Sequence, residues 1–514
     1  MGHNKRTIVN VISSVAVLLT NVIISFALSP YIVKNIGVEA NGFVTLANNF
    51  VTYANLIVTA LNSMAARFIT VEYIRKDYKK ANLYYNSVFW GNLIIVAVLL
   101  LPAAYLIAKL QNFVNIPSGI VLDVKILFGF VFFNFFITTG MPNWDCGVYV
   151  TNRLDRQYVP TMCTALFRCV FLFLMFMVFE PHVWYVGLAS AIVTLLNLAI
   201  NGYNTAKLTP ELKVKFEGGK PVCSKHAIQE LVGAGLWNSI SNVGNMLLSG
   251  LDLIIANVSL GATAMGVLSL SKILPNYMQQ LSASIRNAFA PEMVINYASG
   301  NHKALLHDVN RAMKLTSVVM TIPIAGIIVL GDRFFSLWVP TQDAQLLQKL
   351  SILAILGYMF TSGTQILYNV FSTVNKVKQN SIAMLVSGVV STVITLYFVR
   401  FTNYGIYAVA GVSTFVNLTR NTAFTLPATA KYLGFKWYQF FPQVGMTVFS
   451  SILLVGIGFL IKQYLPSGSW MALFFSALVV GCFGLAVNIM IVLNKSERAF
   501  LINKMKKKIY INLK

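Results

Sequence analysis

Residues 237–286 read WNSISNVGNMLLSGLDLIIANVSLGATAMGVLSLSKILPNYMQQLSASIR, and this stretch decides the fold. It predicts two hydrophobic helices joined by a short loop. Asn238, Asn242, Asn245, Ser249 and Asp252 recur at steps of four, three, four and three. On the second helix Ser269, Lys272, Asn276, Gln279 and Arg286 follow at three, four, three and seven. At 3.6 residues per turn each set lies along one face. The residues between are apolar enough for lipid, from Leu251 and Ile254 to Val267 and Leu268. A charged side chain at a bilayer centre costs about 2.5–3.5 kcal/mol on insertion scales, so these groups face protein or water. Two polar faces imply a wet cavity in a helical bundle.

The whole chain agrees with this local reading. Of its 514 residues 57% are hydrophobic and 11% charged, where a soluble protein carries about 25% charged. At about 20 residues per crossing, the apolar content supplies roughly fourteen membrane helices. The expected class is all-α and polytopic, with spans near 7–33, 43–64, 84–109, 121–142, 158–179, 183–204 and 228–256. The others lie near 264–288, 312–331, 348–373, 379–399, 404–427, 439–462 and 469–493. The amino-terminal run has the outline of a signal peptide, but it is long enough to span and reads as the first helix.

The net charge of +23 raises the question of nucleic acid. The basic residues instead alternate with the spans. Thirty of the 39 Lys and Arg fall in one set of loops, against seven in the other. By the positive-inside rule this places both termini in the cytoplasm. Five cysteines without a CxxC pair give no disulfide set, and five histidines show no metal-ligand spacing. No P-loop motif is present, so the chain carries no such ATPase of its own, and no cofactor is expected.

The halves echo each other. Ile36-Gly37-Val38-Glu39-Ala40-Asn41-Gly42 aligns with Leu260-Gly261-Ala262-Thr263-Ala264-Met265-Gly266. Thr139-Gly140 and Asn152-Arg153 align at nearly the same offset with Ser362-Gly363 and Asn375-Lys376. The expected organisation is a six-helix bundle over 1–205, a cytoplasmic linker over 206–227 and a second bundle over 228–432. Two extra helices over 433–494 and a basic tail over 495–514 follow.

Polar stripes recur in the first half. Asn10, Ser14, Asn21 and Ser25 mark the first span, and Asn48, Thr52, Asn55, Thr59 and Asn62 the second. Asn134, Thr138 and Asp145 mark the fourth; Tyr358, Ser362, Gln365 and Asn369 mark the tenth. One such residue is more often helix–helix glue. Sustained stripes on matched helices favour a lumen. The expected substrate path is Asn48, Asn55, Asn62, Asn238, Asn242, Asn245, Asn276, Gln279 and Gln365 with Lys272, Arg168 and Asp252. For the charges a structural role competes: Lys272 paired with Asp252, Arg168 holding a neighbouring helix, Asp252 snorkelling to the outer surface. Arg67 and Arg286 read first as anchors at inner helix ends. Pro275 offers a bend near Lys272.

Several of these residues carry a family resemblance. Pro30 and Asn35 through Gly42, Ala65-Ala66-Arg67, Asp252 before Leu260-Gly261 and Gly266, and Pro291 resemble the polysaccharide-transporter (O-antigen, or oligosaccharide repeat-unit) flippases. These belong to the multidrug/oligosaccharidyl-lipid/polysaccharide exporter superfamily. The resemblance implies two six-helix bundles around a central lumen, plus two peripheral helices, and no enzymatic activity. It implies movement of an undecaprenyl-pyrophosphate-linked oligosaccharide from inner to outer leaflet by alternating access. It also brings polysaccharide polymerase or chain-length machinery into view as partners. Family lumens are often lined with several Arg and Lys; here uncharged amides dominate. Two alternatives stand beside it. A cation-coupled antiporter of small drugs, with the same fold, wants lumenal carboxylates, and only Asp252 and Asp145 qualify. A membrane polymerase or ligase wants a large outer loop, and the outer loops are short.

Overall fold

The computed structural model describes residues 20–151, 153, 155–217, 220–492 and 498. Asn10, Ser14, Asn152 and nearly all of the basic tail lie outside the described residues. The described residues are mostly helical, and the one strand pairing among them is a two-residue hairpin, Phe216–Glu217 with Lys220–Pro221. Among the described residues eleven helices are long and apolar enough to cross a membrane, where about fourteen were expected in the whole chain. The first lies only partly within the described residues. The expected eighth and twelfth are broken.

Burial is inverted relative to a soluble protein. Asn86, Ser87 and Asn488 are fully buried, while Leu166, Val170, Phe173, Leu174 and Met177 of one helix are exposed. That is the arrangement a hydrocarbon solvent stabilises, since unpaired polar groups cost most there. The protein is a multi-pass membrane protein.

The chain divides into two compact units, residues 1–270 and 271–514. Unit 1 starts with α1 (20–35), α2 (Val38–Asn62), α3 (Ala65–Ile74) and α4 (Tyr78–Ala108). It continues with α5 (Val121–Gly140), α6 (Asp145–Val150), α7 (Asp155–Val178) and α8 (Trp184–Leu208). Then come α9 (Lys225–Asn245), α10 (Asp252–Leu260) and most of α11 (Ala262–Ser271). The segment between α8 and α9 is held by an asparagine ladder on α4. Asn82 donates to Glu211 O at 2.6 Å and accepts from Lys213 N at 3.0 Å. Asn86 repeats this with Lys213 O at 2.9 Å and Lys215 N at 2.8 Å. A four-residue helix step thus matches a two-residue extended step, and the buried amides satisfy an otherwise unpaired backbone.

The repeated motif meets itself within unit 1. Gly37 and Gly261 both hold positive φ, 124° and 98°, and each leads directly into a helix. Only glycine adopts this backbone freely. The helices that follow touch at Gly42 and Gly266. A Cβ on Gly266 would lie 2.4 Å from Val38 O, and one on Gly42 would lie 2.9 Å from Gly266 Cα. Asn41 Nδ2 donates to Ser269 Oγ at 3.0 Å, and Thr263 Oγ1 donates to Glu39 Oε1 at 2.7 Å. Beside this clamp, Asn115 and Asn257 exchange bonds: Asn115 N to Asn257 Oδ1 at 2.7 Å, and Asn257 Nδ2 to Asn115 O at 3.0 Å.

Unit 2 is built on α12 (Ile273–Ala298) and α13 (His302–Trp338), the latter 37 residues long. Around them lie α14 (Ala344–Ile355), α15 (Tyr358–Thr361), α16 (Tyr368–Thr373), α17 (Val377–Phe401), α18 (Gly405–Arg420) and α19 (Leu426–Tyr432). The last helices are α20 (Phe441–Lys462) and α21 (Trp470–Ile491). They are tied to α13 through buried polar contacts. Asn488 accepts from Ser450 at 2.6 Å and donates to Thr321 at 2.9 Å; Thr447 donates to Ser317 at 2.8 Å.

Interruptions fall within the expected seventh, eighth and twelfth helices. The break near Pro275 falls at Lys272, one turn earlier. Pro275 has no N–H for the carbonyl of Ser271, and Ser351 Oγ donates to that oxygen instead, at 2.7 Å. The stretch expected as one helix over 228–256 contains a wide turn, Met246–Gly250, closed by Leu251 N to Met246 O at 3.1 Å. A matching wide turn, Asn421–Thr425, separates α18 from α19. Such i→i+5 turns concentrate at functional sites. Here they adjoin two buried charged residues, Asp252 and Arg420.

Candidate functional site

Unit 1 contains an open polar cavity of about 560 Å³, adjoined by a smaller one of about 220 Å³ that shares Asn55, Thr138 and Thr139 with it. The larger one alone falls in the range of small-molecule sites, about 300–1,000 Å³. One wall is the α2 face that carries Asn48, Asn55 and Asn62, seven residues apart and therefore two helical turns apart. Helix α5 supplies Asn134, Thr138 and Thr139; α8 supplies Ser190, Thr194, Asn197 and Asn201; α4 supplies Asn92. Trp144 and Asp145, just past the end of α5, line the larger cavity.

The amides are positioned by their own helices. Asn48 Nδ2 donates to Val44 O at 2.8 Å, and Asn62 Nδ2 donates to Val58 O at 3.2 Å. Asn62 and Asn92 exchange amide bonds at 2.9 and 3.1 Å. Asn197 Oδ1 accepts from Thr164 Oγ1 at 3.1 Å, which leaves its two donors for the cavity. The oxygen of Asn134 is buried without a partner. An unsatisfied amide oxygen is a place for a ligand hydroxyl or a water.

Trp144 lies flat on α8, because residue 202 is glycine. A Cβ there would stand 3.3 Å from the indole ring. Thr205 Oγ1 donates to Trp144 O, and Gly147 sits directly against Thr205, so α6 is pressed onto α8. Asp145 therefore faces Asn201, whose Nδ2 donates to Asp145 Oδ1 at 2.8 Å. The carboxylate is open to the cavity but surrounded by protein, and this desolvation pushes its carboxyl above the usual carboxylate range.

The sign of the consequence follows from linkage. A raised folded-state pKa means that the folded protein binds the proton more tightly than the unfolded chain. Asp145 therefore destabilises the fold progressively as pH rises from about 4 through its raised pKa, and no further above it. Asp145→Asn is expected to raise Tm above that window and to leave Tm unchanged at the acid end. A thermal-unfolding series against pH measures this; a Tm difference independent of pH would refute it.

The structure distributes the expected path residues unevenly. Asn48, Asn55 and Asn62 line the cavities. Asn242 and Asn245 are exposed along α9 and Asn238 is half-buried; none of the three lines either cavity. Asn276 and Gln279 are exposed on α12. Gln365 is buried, and its Oε1 accepts from Ser282 at 3.0 Å, a packing contact. Asp252 is 4% exposed, at the start of α10, and does not reach the surface. Lys272 is half-buried at the break between α11 and α12, and Arg168 is half-buried on α7. Neither lines the cavities of unit 1. Sequence reasoning missed Asn92, Trp144, Asn197 and Asn201. The spacing of Ser190, Thr194, Asn197 and Asn201, at four, three and four, was the signal available for α8.

No protein-family model matches the chain. It is 27% identical over 506 residues to the uncharacterized membrane protein EpsK of Bacillus subtilis (strain 168), covering 97% of this chain and 98% of that protein. Among solved structures it resembles the lipid II flippase MurJ in an inward closed conformation: TM-score 0.65, 11% identity, 94% of this chain and 98% of the other. It also resembles a multidrug resistance MATE family transporter of the MOP superfamily in its inward-facing conformation. That match has a TM-score of 0.63 and 13% identity over 81% of this chain and 94% of the other. The chain thus has the fold that these transporters share.

Proposed function

We propose that this protein is a flippase that moves a lipid-linked oligosaccharide, carried on undecaprenyl pyrophosphate, from the inner to the outer leaflet of a bacterial plasma membrane. Its product feeds surface polysaccharide assembly, with a polymerase and chain-length machinery as the downstream partners. Both termini are cytoplasmic in this reading, on the strength of the basic-residue distribution. The observation that carries it is the cavity of unit 1: six asparagines, a tryptophan and one carboxylate among apolar helices. Amides that both donate and accept match sugar hydroxyls, and an indole face suits the apolar face of a pyranose ring. The fold shared with a lipid II flippase supports the same class of cargo.

Transport proceeds by alternating access, with the lipid tail in the bilayer and the headgroup in the polar interior. An inside-negative potential favours outward movement of an anion by about 2.3 kcal/mol per charge per 100 mV. Lys272 and Arg168 are proposed to neutralise the headgroup, since cations at membrane depth mark such paths. A cation-coupled drug antiporter of the same fold is the rival, and Asp145 is the one carboxylate in the larger cavity. Deletion of the gene followed by analysis of lipid-linked glycans separates the two. Accumulation of a complete repeat unit on the cytoplasmic face is expected. Unchanged glycans with new drug sensitivity would overturn the flippase reading.

A further inference from the structure

Unit 2 contains a buried cation with no carboxylate partner among the described residues. Arg420, the last residue of α18, is 6% exposed. Its Nη2 donates to Tyr368 Oη at 2.5 Å and to Asn417 Oδ1 at 2.8 Å. Its Nε and Nη1 are buried with no hydrogen-bond partner. No carboxylate lies within ion-pair distance of it among the described residues. The guanidinium stands over the Tyr368 ring at 5.2 Å, and the guanidinium of Arg286 stands over the same ring at 5.9 Å.

The surrounding contacts fix this geometry. Tyr368 Oη donates to Asn421 Oδ1 at 2.9 Å, and Asn421 Nδ2 donates back to Asn417 O at 2.8 Å. Asn369 Nδ2 donates to Arg286 O at 2.7 Å, tying α12 to α16. Two like charges are therefore held about one aromatic ring inside a membrane protein. A tyrosine face offsets part of one positive charge, not two. A buried guanidinium with open donors is poorly compensated until an acceptor with negative charge reaches it. The planar, multi-donor fork of arginine matches phosphate oxygens.

We propose that Arg420 and Arg286, which both stand over the Tyr368 ring, form a binding site for a phosphate-class dianion. Nε and Nη1 of Arg420 supply the free donors, Arg286 the second charge, and Tyr368 the support that orients both. These donors are closed to solvent in the structure, so binding is accompanied by movement at the wide turn Asn421–Thr425, which follows Arg420 directly. The anion has two sources of the same chemistry: the diphosphate of a lipid-linked cargo, or the phosphate head of an anionic membrane lipid. Its residues all belong to unit 2, and it does not depend on the cargo being a sugar.

The test uses full-length protein in nanodiscs of phosphatidylcholine, titrated with inorganic pyrophosphate and read by Tm and by hydrogen exchange over 417–432. Wild type is expected to gain Tm and protection in that segment. Arg420→Met is expected to weaken pyrophosphate binding at least tenfold, and Tyr368→Phe several-fold. Asn201→Ala, in unit 1, is expected to bind as wild type does. Where Arg420→Met does not fold, Arg286→Gln and Tyr368→Phe decide. In discs containing phosphatidylglycerol, a lipid-head source predicts that the protection is already present and that pyrophosphate adds nothing. A cargo source predicts that pyrophosphate still adds it. Absence of protection by either anion, or equal protection in wild type and Arg420→Met, would overturn the site. A normal pyrophosphate response in a protein whose deletion leaves glycans unchanged would sink the flippase reading alone.

Discussion

Gly266→Val is expected to lower transport at least tenfold while the protein still reaches the membrane. The reason is steric and local. A Cβ at residue 266 would lie 2.4 Å from Val38 O and 2.6 Å from Val38 C, both backbone atoms that cannot swing aside. Overpacking of this kind costs about 1–3 kcal/mol, and about 1.4 kcal/mol is already tenfold in a population. The substitution therefore forces apart the start of α2 and α11, where the repeated motif meets itself. The contact between these two helices cannot then form as it does in the wild type. The paired readout is a disulfide between Asn41→Cys and Ser269→Cys, whose native side chains are hydrogen-bonded at 3.0 Å. The crosslink is expected in an otherwise wild-type chain and absent beside Gly266→Val. Full transport with the crosslink retained would remove the clamp from the mechanism.

The second large effect concerns the cavity wall. Asn197→Leu with Asn201→Leu is expected to abolish transport with little loss of stability. Both residues sit on α8 facing the larger cavity, and neither holds the helix in place through a backbone contact. Replacing amides by leucines of similar size keeps the packing and removes the hydrogen bonds that a sugar needs. A site built to bond hydroxyls loses far more from such a change than an apolar drug pocket does. A drug antiporter would tolerate the double variant or bind apolar cargo better. The same glycan analysis reads the outcome. A complete repeat unit accumulating as in the deletion strain supports the cavity, and normal surface glycan argues against it.

The helical class was legible because long apolar runs have few other solutions. The Gly37 and Gly261 motifs were legible because the chain carries them twice, and the structure gives both positive φ. The α2 wall of the cavity was legible as a seven-residue asparagine spacing. Trp144 and Asp145 were not, because a turn after α5 and two close contacts with α8 place them, and no periodicity encodes that. The break at Lys272 was half legible: Pro275 announces it, but Ser351, far along the chain, decides where it falls. Arg420 read as one more basic residue on the cytoplasmic side. Its burial beside Tyr368 depends on α16 and α18 meeting, which sequence spacing alone does not reveal.

The most direct test of the wet, sugar-binding cavity is thiol accessibility at Asn201→Cys, with the five native cysteines replaced by serine. The protein is reconstituted with and without its lipid-linked oligosaccharide and treated with a membrane-impermeant thiol reagent. Rapid labelling that the oligosaccharide suppresses is the predicted result. A thiol that never reacts, or reacts equally in both preparations, would contradict it.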